Sequence, residues 1–189
     1  MAGILRLGRG SPCVGSAAPD VILGAMMGCL RHTSWGGEEG GRMLYTPVTK
    51  IALKLCYEAH AGQLDKSGLP YVFHPFHLAE QMQTEHEVCV ALLHDVMEDT
   101  PLTADDLVAA GIPQEYVGTL RLLTHDKRVP YLDYVQSLAH DPVARKVKMA
   151  DLRHNSDLSR LNHQPTSADL RRVEKYRQAL AILEARGDA

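Results

Sequence analysis

From Thr46 onward the chain is punctuated as a succession of helices, and that punctuation leaves little room for another fold class. Thr46-Pro47 joins a side-chain cap to a proline suited to a first helical turn. Ile51 and Leu55 follow at helical spacing, and His60 to Gly62 marks a stop. Gln63 to Phe73 reads as a loop holding Gly68 and Pro70, and Pro75 opens a second helix to about Gln83. A third runs from about Glu87 to Asp99 and is ended by Thr100-Pro101. Thr103 to Asp106 resembles a capping box, opening a short helix that Gly111 closes. Pro113, Pro130 and Pro142 each fit the first turn of a further helix, with Asp141 as a cap for the last of these. Thr166 or Ser167 caps a final helix to about Ala185. No β-branched, alternating segment competes, so the fold class is all-α, in one domain without internal repeats.

Residues 1–42 differ, being rich in Gly (Gly36-Gly37, Gly40-Gly41) and without sustained periodicity. They read as a flexible N-terminal extension ahead of a domain spanning 43–189. Met43 opens the patterned segment, and a natural translation start there would make the preceding residues an upstream addition. With 45% hydrophobic and 23% charged residues, the 189-residue chain has the means for a packed core. A net charge of -3 and 5% aromatics argue against a basic or base-stacking domain, so neither DNA nor RNA is an expected partner. Cys13, Cys29, Cys56 and Cys89 show no CxxC spacing, and Cys56 and Cys89 fall in apolar helical patterns as free thiols. No apolar run approaches the roughly 20 residues that cross a bilayer. A cytoplasmic protein with no membrane contact is therefore the expectation.

The chemistry-bearing residues gather in three places. His94-Asp95 interrupts the apolar run from Val88 to Met97. At about 100° per residue, His94, Asp95, Glu98 and Asp99 share one polar stripe, opposite Val90, Leu93, Val96 and Met97. So many acids beside apolar neighbours repel one another unless a cation or protons compensate. Val143, Val147, Ala150, His154 and Leu158 recur at helical spacing, with Asp151 and Asn155 one turn apart on an adjacent face. His74 stands at the loop-to-helix junction before Pro75. Each has a plainer role if taken alone: a solvated acidic face, a helix side turned to water, a histidine bonded to backbone. His125-Asp126 reads as a solvated turn and His140-Asp141 as a helix cap. Taken together, His74, His94, Asp95 and Asp151 form a mixed nitrogen and oxygen set suited to Mn²⁺, Fe²⁺, Zn²⁺ or Mg²⁺. Ligands from three helices leave positions open for water and substrate, as a catalytic site requires. Glu98 and Asp99, one turn beyond, are placed to orient or deprotonate that water.

These strings resemble the HD superfamily of metal-dependent phosphohydrolases, and more narrowly the hydrolase domain of the Rel/Spo alarmone enzymes and their small stand-alone relatives. The matches are Ala59 to Gln63, Lys66 to Tyr71, His74-Pro75, Ala91 to Thr100, Lys148 to Asp151 and His154-Asn155, in order over about residues 47–161. The resemblance implies an HD-domain helical bundle binding one Mn²⁺, or another divalent metal, through His74, His94, Asp95 and Asp151. Glu98 and Asp99 become the acids that handle the attacking water. It implies hydrolysis of guanosine 3′-diphosphate 5′-di(or tri)phosphate with release of the 3′ pyrophosphate. Lys66, Ser67 and Tyr71 would lie against this small-molecule nucleotide, and Asn155 would face its pocket.

Three positions depart from the family pattern. Asp65 precedes Lys66-Ser67-Gly68 where an arginine is usual. Asp151-Leu-Arg-His-Asn155 inverts the order Arg-Leu, making Arg153 the candidate substrate cation. Leu158 stands where a hydroxyl residue is frequent. All three bear on substrate recognition and none on the metal set. Two alternatives therefore stay open: hydrolysis of another nucleotide or phosphorylated metabolite, and a non-catalytic nucleotide sensor. The presence of both Glu98 and Asp99 favours catalysis.

Overall fold

A computed structural model describes residues 43–186, and the extension expected over residues 1–42 lies outside them, as do Cys13 and Cys29. The regular elements among the described residues are all helices, apart from an isolated bridge between Leu64 and Pro70. The helices are α1 (Pro47–Ala59), α2 (Phe73–Ala79), α3 (Glu85–Leu93), α4 (Val96–Asp99), α5 (Ala104–Ala109), α6 (Gln114–Leu123), α7 (Tyr131–Leu138), α8 (Pro142–Ser156) and α9 (Ser167–Ala185), with a 3₁₀ turn at Leu158–Arg160. The all-α expectation holds.

Local capping explains most of the boundaries. Thr46, Thr84, Thr103 and Thr166 each close a reciprocal capping box, with Thr49, Glu87, Asp106 and Asp169 as the third helical residues. Asp141 accepts from the Ala144 amide at 2.8 Å and starts α8. Gly62 and Gly111 end α1 and α5 with positive φ of 76° and 103°. Helix α2 begins at Phe73, two residues before the expected Pro75. The proline sits within the first turn, where its missing N–H costs no intrahelical bond.

One expected helix is two. The segment from Glu87 to Asp99 ends at Leu93 and restarts at Val96, with His94 and Asp95 in the turn between. The His94 imidazole explains the break. Its Nδ1 lies 2.8 Å from the Ala91 carbonyl, the group a continued helix would bond to the Asp95 amide.

Helix α3 is the centre of the fold and packs against α1, α2, α6 and α8. Val88, Cys89, Val90, Ala91, Leu92 and Leu93 are all fully buried, so beyond its first turn α3 has no polar side. Helix α8 packs against α2, α3, α6 and α9, which brings Asp151 to the α3–α4 turn and to His74 at the start of α2. Cys56 and Cys89 are buried free thiols, as expected. No described helix is long and apolar enough to cross a membrane.

Central burial fixes a stability expectation. Leu92→Ala should lower the unfolding free energy by about 2–5 kcal/mol through lost transfer energy and a residual cavity. Val108→Ala, at a side chain 38% exposed, should stay within about 0.5 kcal/mol of wild type. The two urea midpoints, compared at equal slope, measure the difference.

Candidate metal centre

Each of the expected ligands reaches one point by a separate local device. His94 sits in the α3–α4 turn. Its Nδ1–H donates to the Ala91 carbonyl, so Nε2 is the nitrogen left to hold either a proton or a metal ion. His74 lies in the first turn of α2, with Nδ1 2.6 Å from His154 Nδ1. The Arg160 guanidinium also points a donor at that His154 nitrogen, at 3.1 Å. His154 Nδ1 is therefore the acceptor, His74 Nδ1 the donor, and the His74 lone pair is on Nε2. Burial, then His74 and Arg160, hold His154 down at about 3, which keeps it a neutral acceptor.

Those two Nε2 atoms are buried without a hydrogen-bond partner, in company with His60 Nε2. Carboxylates face them. His94 Nε2 is 3.0 Å from Asp95 Oδ2 and 3.9 Å from Asp151 Oδ1. His74 Nε2 is 3.2 Å from Asp151 Oδ1 and 3.9 Å from Asp95 Oδ2. Donors sharing an ion at bond lengths of about 2.1 Å lie about 3.0 Å apart when adjacent and about 4.2 Å when opposite. The observed separations fall within that range. His74, His94 and Asp95 offer ligand atoms within 4.8 Å of one another, and Asp151 Oδ1 faces the two imidazoles at 3.2 and 3.9 Å. Orphaned imidazole nitrogens turned toward the buried Asp151 and the half-buried Asp95 fit a divalent cation.

Neighbours hold the carboxylates in place. Tyr71, 1% exposed, donates its hydroxyl to Asp95 Oδ2. Asn155 Nδ2 donates to Asp151 Oδ1 at 2.5 Å, and Lys148 Nζ donates to Asp151 Oδ2 at 2.9 Å. Burial opposes the charge on Lys148, but Asp151 outweighs it and holds the ammonium well above its usual range. Burial likewise works against Asp151, yet Lys148 keeps it ionised, well below the usual carboxylate range.

Two hollows flank this cluster. Lys66, Ser67, Tyr71, Arg160 and Arg172 line one; Asp95, Glu98, Asp99, His125, Tyr134 and Lys148 line the other. Asn155 and Tyr176 line both. Burial, then the Asp95 and Glu98 charges, raise Asp99 to about 6. The Ala59–Gln63 string anchors this acid from behind: Gln63 Nε2 donates to the Asp99 carbonyl at 3.3 Å, and His60 Nδ1 lies 2.7 Å from Gln63 Oε1. Glu98 Oε2 accepts the His125 amide at 3.3 Å.

The structure thus brings together His74, His94, Asp95, Asp151, Glu98, Asp99, Lys66 and Asn155. Ser67 and Tyr71 line the hollow as expected, but both hydroxyls are committed: Ser67 donates to the Arg160 carbonyl at 2.5 Å, and Tyr71 to Asp95. Arg153 requires correction. It is exposed and pairs with Glu184 at 3.0 Å, away from both hollows. Two residues past Asp151 lies about 200° around the helix, on the opposite face. Asp65 does not stand as a bare anion at the mouth either. Its Oδ2 pairs with Arg160 at 3.1 Å, and its Oδ1 accepts from the Ser67 and Leu69 amides. Sequence reasoning missed Arg160, Arg172, Lys148 and His125. Lys148 carried a signal, three residues before Asp151, and so did His125, which reads in the sequence as part of a solvated His125-Asp126 turn but lines the hollow beside Glu98 and Asp99.

Helices that converge on a His/His-Asp/Asp donor set define an HD-type bundle. No family model matches the chain. The guanosine-3′,5′-bis(diphosphate) 3′-pyrophosphohydrolase MESH1 of Mus musculus is 33% identical over 124 residues, covering 59% of this chain and 68% of that protein. The bifunctional (p)ppGpp synthase/hydrolase SpoT of Escherichia coli is 32% identical over 130 residues, 59% of this chain and 18% of SpoT. The solved structure of a metazoan ortholog of SpoT superposes with a TM-score of 0.55 at 20% identity, covering 77% of this chain and 96% of that one, and shares its fold. The chain belongs to the Rel/Spo hydrolase family of HD-type proteins. It spans less than a fifth of the length of the long relatives it matches.

The electrostatics set a pH dependence for metal binding. Burial works against a charged His94, but Asp95, then Asp151, outweigh it and raise the imidazole to about 9. Metal-free protein at neutral pH therefore holds a proton that a ligated ion must displace. Affinity for a divalent ion should rise with pH up to about 9 and fall about tenfold per unit below it. Calorimetric titrations at pH 7 in buffers of different ionisation enthalpy should show release of about one proton per ion.

Proposed function

We propose that this chain is a divalent-metal-dependent phosphohydrolase that removes the 3′-pyrophosphate of guanosine 3′-diphosphate 5′-di(or tri)phosphate, with Mn²⁺ as the working ion. The observation that carries the reading is the convergence of two partnerless imidazole nitrogens and two carboxylates, from His74, His94, Asp95 and Asp151, between an acid-lined and a cation-lined hollow. The names of the SpoT and MESH1 relatives supply the nucleotide. Mixed imidazole and carboxylate donors favour a transition ion such as Mn²⁺ over Mg²⁺.

When bound there, the ion lowers the pKa of a coordinated water and polarises a phosphoryl oxygen. The chain's own residues supply the rest. Glu98 and Asp99 line the acid hollow, where they take the proton as the water attacks the phosphorus attached to the ribose 3′-oxygen. That P–O bond breaks, pyrophosphate leaves, and the 3′-oxygen gains a proton to become the hydroxyl. Asp99, raised to about 6, is tuned for proton transfer near neutrality. Lys66, Arg160 and Arg172 line the other hollow, where they offset phosphate charge.

A hydrolysis screen across nucleotides with added Mn²⁺ tests this reading, with products identified. Pyrophosphate release from the alarmone is the expected result; turnover only of another nucleotide would move the substrate, and binding without turnover would make the chain a sensor. Asp95→Ala should abolish metal binding and turnover together. Glu98→Gln should retain metal but lose about 10²–10⁴-fold in turnover. A normal rate in Glu98→Gln would place the base elsewhere.

A further inference from the structure

The loop that carries Lys66 and the imidazole of His74 meet through one side chain. Asp65 Oδ1 accepts from the Ser67 and Leu69 amides at 2.8 and 2.9 Å, which folds the loop into a tight turn. At Gly68 the turn takes a φ of 79°, which favours glycine. Asp65 Oδ2 accepts from Arg160 Nη2 at 3.1 Å, across 95 residues of sequence. The Ser67 hydroxyl donates to the Arg160 carbonyl, and Asn162 Nδ2 to the Ser67 carbonyl at 3.2 Å. The loop is thus clasped to the 3₁₀ turn on both sides of Lys66. The same guanidinium donates Nη1 to His154 Nδ1 at 3.1 Å and to the His154 carbonyl at 3.2 Å. His154 Nδ1 in turn accepts from His74 Nδ1, and His74 Nε2 faces Asp151.

A guanidinium is a planar fork that stays protonated, so its two arms cannot move independently. If the loop shifts Asp65, the arm on His154 shifts too. His154 then loses a donor that fixes its tautomer, and His74 loses the partner that holds its own lone pair on Nε2. The coupling runs equally in reverse, because a coupling free energy between two sites is reciprocal.

We propose that Arg160 is a positioning residue that makes divalent-metal binding at His74 and ordering of the 63–70 loop mutually dependent. This inference rests on the metal-centre reading above. It accounts for a cation at position 160 opposite an anion at 65, where the family pattern has a cation in the loop.

The sign of one measurement separates coupling from simple charge. Removing a cation near a divalent ion tightens binding on Coulomb grounds alone. Coupling demands the opposite: Arg160→Met should weaken Mn²⁺ binding about tenfold, as loss of partners behind a ligating histidine does. Asp65→Asn, which touches no expected ligand, should weaken it as well, and the double variant should lose less than the product of the two. In wild-type protein, Mn²⁺ should slow hydrogen exchange at the Ser67 and Leu69 amides, and both variants should lose that response. Both readouts need only the metal ion, with no nucleotide and no turnover. Wild-type protein that binds no Mn²⁺ overturns the metal reading and this inference with it. Wild-type protein that binds Mn²⁺ while Arg160→Met binds as tightly or more tightly overturns this inference alone. Should Arg160→Met fail to fold, an unchanged Mn²⁺ affinity in Asp65→Asn, or loop exchange indifferent to Mn²⁺, does the same.

Discussion

Two carboxylates and two imidazole lone pairs, turned toward one another inside a helical bundle, set the constraint around which the rest of the site is arranged. Moving an ion out of water costs several kcal/mol even after relaxation, so buried acids need partners. Lys148 neutralises Asp151, and Tyr71 offers Asp95 a hydroxyl, but neither touches His74 Nε2 or His94 Nε2, which remain without partners. A divalent cation satisfies the nitrogens and the remaining negative charge together. Few other species could, because a proton can bond only one pair of these atoms at a time. The buried run from Val88 to Leu93 gives the arrangement its rigidity: a ligand turn at the end of a helical segment packed on all sides has little freedom to relax away.

The fold was legible where its causes are local. Thr46, Thr103, Asp141 and Thr166 announce helix starts, because a cap is a bond between near neighbours in sequence. The break at His94-Asp95 was not legible, because it arises when a side chain competes for the Ala91 carbonyl. No periodicity argument sees that competition. The donor set was legible from helical spacing and from the family strings together, and Arg153 shows the limit of the strings. Matching it by residue type to a family arginine overlooked its angle on the helix, whereas Leu152, 1% exposed, holds the buried position. Arg160 and Arg172 reach the site from a 3₁₀ turn and the last helix, so only tertiary packing reveals them.

The two hollows divide the work by charge. The proposed substrate, with two phosphate groups on the 3′ position, calls for cations on the departing side and acids where water is activated. Placing both on one surface would let the cations quench the acids. Here Glu98 and Asp99 on α4 line one hollow, where the cation Lys148 is committed to Asp151, and the cations of the loop, the 3₁₀ turn and α9 line the other, beside Asp157 and the Arg160-paired Asp65, with Asn155 and Tyr176 at the seam. Asp99 keeps its raised pKa because it is half-buried and, next in weight, because its near neighbours are Asp95 and Glu98.

The departure at Asp65 looks damaging in the sequence and is not so in the structure. An unpaired carboxylate beside a phosphate-binding lysine would repel the substrate. Paired with Arg160 and accepting two backbone amides, it instead becomes part of a neutral clasp. Positions 65 and 160 therefore form one charge-balanced unit, and neither is informative alone. The expected ligands lie behind that clasp with the full donor set intact. Under the proposed function, the chain would differ from its relatives at the mouth that receives the nucleotide and not at the His74, His94, Asp95 and Asp151 donors. Divergence of this kind belongs at the mouth of the site, where a changed residue at one position can be matched by a partner of opposite charge at another. At the buried donors any lost partner leaves a charge without compensation.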